Sequence, residues 1–431
     1  MKVSVEDRQG LFKNLKVEVE GDVVKSALDE VYNYLKENAE VEGFRKGKAP
    51  LWIIRAKFRE YIKEEVGKKV ANATLASAIQ ASGLKPVADI YLEKVELEEK
   101  EQRLSYSVYF EVPPEFELQK VEGLEVEIKK LEFSEDLVKQ RIEEIRQEHV
   151  VWEPVEREVK EGDLVVVEYK VQELESGEST EGETSGVIGT KTFREEIEKE
   201  LIGKREGDSF VLEDLTLYDV EGKPAGKARV EITVKSVKEK VLPELNDDFA
   251  KELGLGETWT EAEEKIRQEV KANLENLKKA MISDAVAIKL VQLHEFEIPQ
   301  TLLQRELSHL VERRVRELSQ WGIDPKYLDY RAIAQELTPQ AVFNIKLRYI
   351  LDKYAQQKNI EVSNEEIQQR IEALAQAYER TAEEMREFLE RENLLPVLEE
   401  DIKREKAFED IISKAVVKEI EEKKEEKNEN T

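Results

Sequence analysis

The sequence contains no cysteine, which excludes disulfides, thiolate metal sites and cysteine nucleophiles. Histidine is nearly as scarce: His149, His294 and His309 are the whole supply. Metal sites and catalytic triads need convergent partners, so three scattered histidines read as exposed or satisfied structural residues. There is no Gly-rich phosphate loop of the Walker type, so no ATP cycle is expected, and no cofactor or metal is expected either. No apolar run approaches the ~20 residues of a membrane span, and the first residues, Met1 to Arg8, hold no apolar signal segment. The expectation is a cytoplasmic protein with no membrane partner.

What is abundant is charge. Charged residues make up 38% of the 431 positions, against a usual ~25%. The 40% that is hydrophobic is enough for globular cores. At ~100–200 residues per domain the length suggests two to four domains. Leu, Glu, Lys, Ala and Arg dominate the second half, a composition of long solvated helices. The net charge is −28. A uniformly acidic surface repels nucleic acid, so any RNA contact must come from a local basic patch.

Periodicity organises the chain. Val3 and Val5, then Leu15, Val17 and Val19, alternate as strands around a turn at Gln9-Gly10. A helix follows with Asp22 as its N-cap, a glycine-punctuated loop at 43–50, and a second helix over 51–81. Strands at 87–97 and 103–112 close an α+β first domain, ended by Pro113-Pro114. A connector over 113–149 holds an extended piece and a helix starting near Ser134. Residues 150–242 read as a small antiparallel-rich β domain. Its strands lie at 164–171, 210–217 and 228–237, with a loop at 176–186, a short helix at 193–201 and a turn at 222–226. Helices dominate 243–420. Capping boxes are expected at Thr260/Glu263, Ser363/Glu366 and Thr381/Glu384. Thr338-Pro339 reads as a fresh helix start, dividing 326–337 from 339–357, and the last helix is expected over 395–419. The tail 421–431 reads as disordered.

The loop Gly43-Phe44-Arg45-Lys46-Gly47-Lys48-Ala49-Pro50 carries the clearest functional signal. From Gly43 to Lys69 there are nine basic and three acidic residues. That is a local excess of six positive charges on an acidic chain, suited to an anionic partner. Phe44 adds an apolar anchor, and Gly43 and Gly47 permit turns that a side chain would block. By itself a basic helix-loop-helix is most often a solvated face.

Gly-Phe-Arg-x-Gly-x-x-Pro resembles the ribosome-binding signature of the bacterial trigger factor family, and residues 43–50 match every fixed position. Trp152-Glu153-Pro154-Val155 with Gly162-Asp163-Leu164-Val165 resembles the entry to that family's FKBP-like domain. Leu201-Ile202-Gly203-Lys204 with Gly207-Asp208 resembles its central turn, and Leu242-Pro243-Glu244-Leu245-Asn246-Asp247-Asp248-Phe249 its exit. The resemblance implies an α+β multidomain fold: a ribosome-binding domain at 1–112, an FKBP-like peptidyl-prolyl isomerase domain at 150–242, and a discontinuous all-α chaperone domain built from 243–420 and the connector. It implies an ATP-independent chaperone that holds nascent polypeptides open at the exit tunnel and assists folding and export. Gly43, Phe44, Arg45, Lys46, Gly47 and Pro50 would contact the large ribosomal subunit, protein and rRNA alike. Nascent and unfolded polypeptides are the other partners, and the resemblance allows a homodimer off the ribosome.

Prolyl isomerisation needs no acid, base or metal, only a cleft that favours the twisted amide over the planar one. By position along the motif, Tyr169, Phe193, Phe210 and Tyr218 would wall that cleft, with Val187 and Ile188 at its floor. The stretch 187–201 is shorter than the family's, and Val230 stands where an aromatic is typical; both changes shrink the cleft. The same aromatics also read as the core of a small β domain. In the helical half, Phe343, Tyr349, Tyr354, Tyr378, Phe388 and Leu394 are candidate client contacts, although such stripes usually face a core. Two other functions fit the sequence: a dedicated prolyl isomerase with helical adaptors, and a helical scaffold that is not a chaperone.

Overall fold

The computed structural model describes residues 1–174, 177–218 and 224–421, with the backbone alone at 218, 224 and 225. Two compact units divide the chain, Met1–Lys130 with Ala280–Thr431 and Leu131–Lys279.

The first unit opens with an α+β layer. Strands β1 (Lys2–Asp7) and β2 (Phe12–Glu20) form a hairpin. Helices α1 (Asp22–Asn38), α2 (Leu51–Lys57) and α3 (Arg59–Ser82) follow, then β3 (Tyr91–Glu98) and β4 (Arg103–Glu111). The sheet is antiparallel in the order β1-β2-β4-β3. Alternation along β2 and β4 puts Leu15, Val17, Leu104, Tyr106 and Phe110 on one face. There they meet Val24, Leu28 and Val31 of α1 and Ile62, Val66 and Val70 of α3. Asp22 is not the N-cap of α1: Gly21 holds that position and Asp22 is the first helical residue. The helix expected over 51–81 breaks at Phe58. In an unbroken helix Ile54 and Ile62 would point about 80° apart; with the bend both are fully buried. Strand β5 (Glu125–Lys129) follows.

The second unit holds α4 (Glu135–Glu148), β6 (Val151–Pro154), β7 (Leu164–Glu173), β8 (Ser179–Val187), α5 (Glu195–Leu201), β9 (Ser209–Tyr218), β10 (Pro224–Val241) and α6 (Asp247–Glu252). Strand β10 lies beside β7 on one edge and takes β9 and then β6 on the other. Most of the loop expected at 176–186 is instead the strand β8, paired along β7. Its residues are polar because this edge strand is largely exposed, so period-2 hydrophobicity had nothing to mark. Residues 222 and 223 of the expected turn lie outside the described residues, as does the expected tail beyond Glu421. Val138 and Ile145 of α4 pack with Phe249, Ile266 and Val270. The last two sit on α7 (Trp259–Leu293), whose C-terminal part belongs to the first unit. The box expected at Thr260 is displaced: Thr260 lies inside α7. Thr258 Oγ1 accepts from Glu261 N at 3.4 Å, and Glu261 Oε2 accepts from Glu257 N at 2.9 Å. Trp259 sets this earlier start, since its ring stacks 6.1 Å from Phe249 in the core.

The first unit resumes with α8 (Gln300–Gln320), α9 (Tyr330–Lys358), α10 (Asn364–Ala377), α11 (Ala382–Arg391), α12 (Leu395–Ser413) and β11 (Val416–Ile420). Thr338-Pro339 does not start a helix; Pro339 lies within α9. Proline lacks the N–H for the carbonyl four residues back, and Thr338 Oγ1 donates at 2.7 Å to the Ala334 carbonyl in the same turn. Burial of Leu337 and Ala341 on either side holds α9 continuous. Both boxes at Ser363 and Thr381 form. The last helix stops at Ser413, and β11 pairs parallel with β5. Val121, Leu124 and Val126 thereby enter the helical core beside Leu290, Ile350 and Ile411. His294 is satisfied there: its Nδ1–H donates to Leu290 O at 2.7 Å and its Nε2 accepts from Gln119 N at 2.9 Å. Glu111, at the end of β4, is buried. Its carboxylate accepts from Gln300 N at 2.6 Å and Thr301 N at 2.7 Å, capping α8 from a strand 189 residues earlier in the chain.

Candidate functional site

The loop between α1 and α2 is held at both ends by burial of Val41 and Ala49. Two turns shape it. Phe44 N donates to Val41 O at 3.0 Å, and Lys48 N donates to Arg45 O at 2.9 Å. Each turn has a glycine third, Gly43 at φ +85° and Gly47 at φ +80°. This is the position of a type II turn that only glycine fills without strain. The tip between the turns presents Phe44, 41% exposed, with Arg45 and Lys46 also exposed. Pro50 precedes α2 at φ −61°, and its carbonyl accepts from Ile53 N and Ile54 N.

The nine cations of residues 43–69 divide into two groups. Arg55 pairs with Glu99 at 3.5 Å, Lys63 with Glu60 at 3.4 Å, Lys68 with Glu65 at 2.8 Å and Lys69 with Glu30 at 2.7 Å. Among the described residues no acid pairs with Arg45, Lys46, Lys48, Lys57 or Arg59. The uncompensated charge therefore sits on the loop, the short helix after it and the first residue of α3. Beneath them Arg55 lies 4.9 Å over the Tyr32 ring, and Tyr32 donates a hydrogen bond to Glu99. Burial first, and that hydrogen bond second, push the Tyr32 hydroxyl up to about 12. This cluster ties α1 and α2 to the turn before β4, so the loop stands on a rigid base.

In the second unit, Ile188 and Phe193 are buried in one core with Val230 and Ile232, while Tyr169 and Phe210 are half-buried at its margin. Tyr169 faces Gly182 across the β7–β8 ladder. A Cβ on Gly182 would come within 2.7 Å of the tyrosine hydroxyl, so the ring covers that glycine. Phe193 covers Gly186 in the same way, also at 2.7 Å. Val187 ends β8, half-buried, and the Lys204 ammonium lies 5.8 Å from the Phe210 ring centre. Tyr218 ends β9, with its side chain outside the described residues.

Of the helical candidates, Tyr354 is buried, with its hydroxyl 2.6 Å from Asp410. Phe388 packs in the small core of α10 and α11, and Phe343 and Tyr349 are half-buried. Tyr378, 68% exposed, and Leu394 face solvent. The turn between α8 and α9 is a further exposed apolar site: Trp321 is 74% and Tyr327 77% exposed beside Ile323 and Tyr330. The available signal was aromatic residues placed where a turn calls for small polar ones. Within the first unit, Leu11, Phe12, Phe296, Ile298, Leu303 and Val342 line a cavity of about 670 Å³ that Glu111 and Lys346 also reach. Among the described residues no group of three or more His, Asp or Glu could hold a metal ion, and no helix is long and apolar enough to cross a membrane.

Residues 1–145 match the family described as bacterial trigger factor protein, and residues 258–413 match the C-terminus of the same family. The chain belongs to the bacterial trigger factor family. A trigger factor from Aquifex aeolicus (strain VF5) is 51% identical over 414 residues, covering 95% of this chain and 86% of that protein. One from Geotalea daltonii is 29% identical over 441 residues, 98% of this chain and 99% of that protein. A solved structure titled "Promiscuous Substrate Recognition in Folding and Assembly Activities of the Trigger Factor Chaperone" aligns with a TM-score of 0.56 at 25% identity. It covers 96% of this chain and 99% of its own. The chain is a ribosome-associated chaperone of mixed α/β multidomain fold, and the ribosome and nascent polypeptides are its family's partners.

Proposed function

We propose that the chain docks on the large ribosomal subunit beside the exit tunnel through Gly43, Phe44, Arg45, Lys46, Gly47 and Pro50. In this reading residues 1–112 dock, residues 150–242 form the isomerase domain, and residues 243–420 with the connector hold the client, all in the cytoplasm. The observation that carries it is the segregation of charge: among the described residues the loop cations have no acidic partner, while those farther along α3 do. Arg45 and Lys46 pair with phosphate or carboxylate and Phe44 fills an apolar niche. Trp321, Tyr327 and Tyr378 give clients exposed apolar contacts on a charged surface, which suits weak and promiscuous binding. Off the ribosome the chain self-associates as a homodimer. Charge reversal tests the docking: Arg45→Glu lowers ribosome affinity more than tenfold at ~0.1 M salt, where charges are felt over ~10 Å, and Lys63→Glu changes it less than twofold. Equal effects of the two would remove the assignment.

A second activity belongs to the β domain. Tyr169 and Phe210 line a shallow isomerase cleft, and turnover is weak because Phe193 and Ile188 are packed inside the core. With the full chain added, a proline-limited refolding reaction speeds up only severalfold; a rate equal to buffer removes the enzyme reading.

A further inference from the structure

Trp52 is 71% exposed, two residues beyond the docking loop. Helix α2 buries Ile54 completely. At 100° per residue Trp52 points about 160° away from Ile54, straight out from the core. The residue one turn on, Ala56, is exposed and too small to cover the indole. Arg55 is turned aside to Glu99 and Tyr32. One face of the indole ring is therefore open to an outside group.

Its surroundings select the partner. Lys48 lies four residues before Trp52, within ~14 Å even for a fully extended chain. Lys57 and Arg59 follow it, and none of the three has an acidic partner among the described residues. The chain as a whole is strongly acidic, with a net charge of −28. An uncovered aromatic plane among uncompensated cations is the combination that binds unpaired nucleotides: the cations follow the phosphates and a base stacks on the ring. A hydrophobic protein groove would instead favour a clustered apolar patch with its charges at the rim.

We propose that Trp52 stacks on an unpaired base of ribosomal RNA, extending the docking surface from the loop onto α2. This rests on the docking reading above and adds to it a second contact of different chemistry.

The test uses the full chain and intact ribosomes. Trp52→Ala is expected to lower affinity about tenfold, the scale of one lost base stack. Trp52→Phe keeps most of the affinity. Because Trp52 carries no charge, Trp52→Ala leaves the slope of log affinity against log salt unchanged, whereas Arg45→Ala makes it shallower. Chemical probing of the rRNA should find a base that the unsubstituted chain protects and the Trp52→Ala variant leaves reactive. Affinity equal to that of the unsubstituted chain overturns the proposal. So does a loss of affinity with no base regaining reactivity, which would place the indole against ribosomal protein. If Arg45→Glu abolishes binding while Trp52→Ala does not weaken it, docking stands and the stacking contact falls. If the unsubstituted chain itself fails to bind, both fall.

Discussion

Asp163 is 3% exposed at the turn that opens β7, and its carboxylate accepts three hydrogen bonds from two residues. The Arg157 fork donates to its two oxygens at 2.6 and 2.8 Å, and Lys160 N donates at 2.8 Å. Burial alone would raise this carboxyl; the guanidinium and the backbone amide outweigh it and hold it below the ordinary carboxylate range. A carboxyl depressed in the folded state stabilises fully above its unfolded value of ~3.9, and that contribution is lost as pH falls through the folded value. Asp163→Asn is expected to cost about 2 kcal/mol at pH 7, the scale of charge-assisted hydrogen bonds. The variant should then lose less than the unsubstituted chain between pH 5 and pH 2, as followed by urea unfolding. Parallel stability curves across that range would show that the ion pair contributes nothing. At this scale the sequence was only partly readable. Gly162-Asp163 announced a turn, but no pattern marks Arg157 as the partner of that aspartate or Glu239 as a second partner of that arginine. Phe193 likewise stands at a cleft position along the motif, and only the fold shows that it packs in the core over Gly186.

Helix α8 illustrates what elements conceal from a linear reading. Its N-cap is Pro299, which offers no side-chain acceptor, so nothing local satisfies its first amides. Glu111 does so from β4, and Arg305 on the same helix pairs with Asp89 at 2.7 Å. Glu111→Ala removes that acceptor from a buried place and is expected to destabilise the first unit by about 2 kcal/mol. Glu111→Gln should cost less, since one oxygen remains. Urea unfolding gives the loss, and hydrogen exchange at Gln300 and Thr301 gives its location. Unchanged exchange at those amides would contradict the cap. Elements with a strong local signal could be read directly. The capping boxes at Ser363 and Thr381 and the alternation of β2 and β4 are cases where local chemistry and tertiary packing agree. The misses have a common physical form. Strand β8 is too exposed for alternation to mark it, β11 exists only because β5 receives it, and Pro339 is overruled by the burial of its neighbours.

At the scale of the whole molecule, the account turns on where charge is left unanswered. The chain carries 96 acidic and 68 basic side chains, and most basic groups of α3 are neutralised by neighbours. The loop was recognisable from the sequence because glycine, proline and basic residues in fixed order need no tertiary partner to form its two turns. The pairing state of the cations that follow it was not readable, since Glu99 reaches Arg55 and Glu30 reaches Lys69 from elsewhere in the chain. The aromatic turn between α8 and α9 was missed for a related reason: exposure is a property of the assembled surface. Co-sedimentation with ribosomes of the full chain carrying Phe44→Ala, Arg45→Ala and Lys46→Ala together is the most direct measurement. The account predicts that the triple variant keeps its circular dichroism and unfolding midpoint and stays in the supernatant, while the unsubstituted chain pellets. A triple variant that pellets as well as the unsubstituted chain would contradict it.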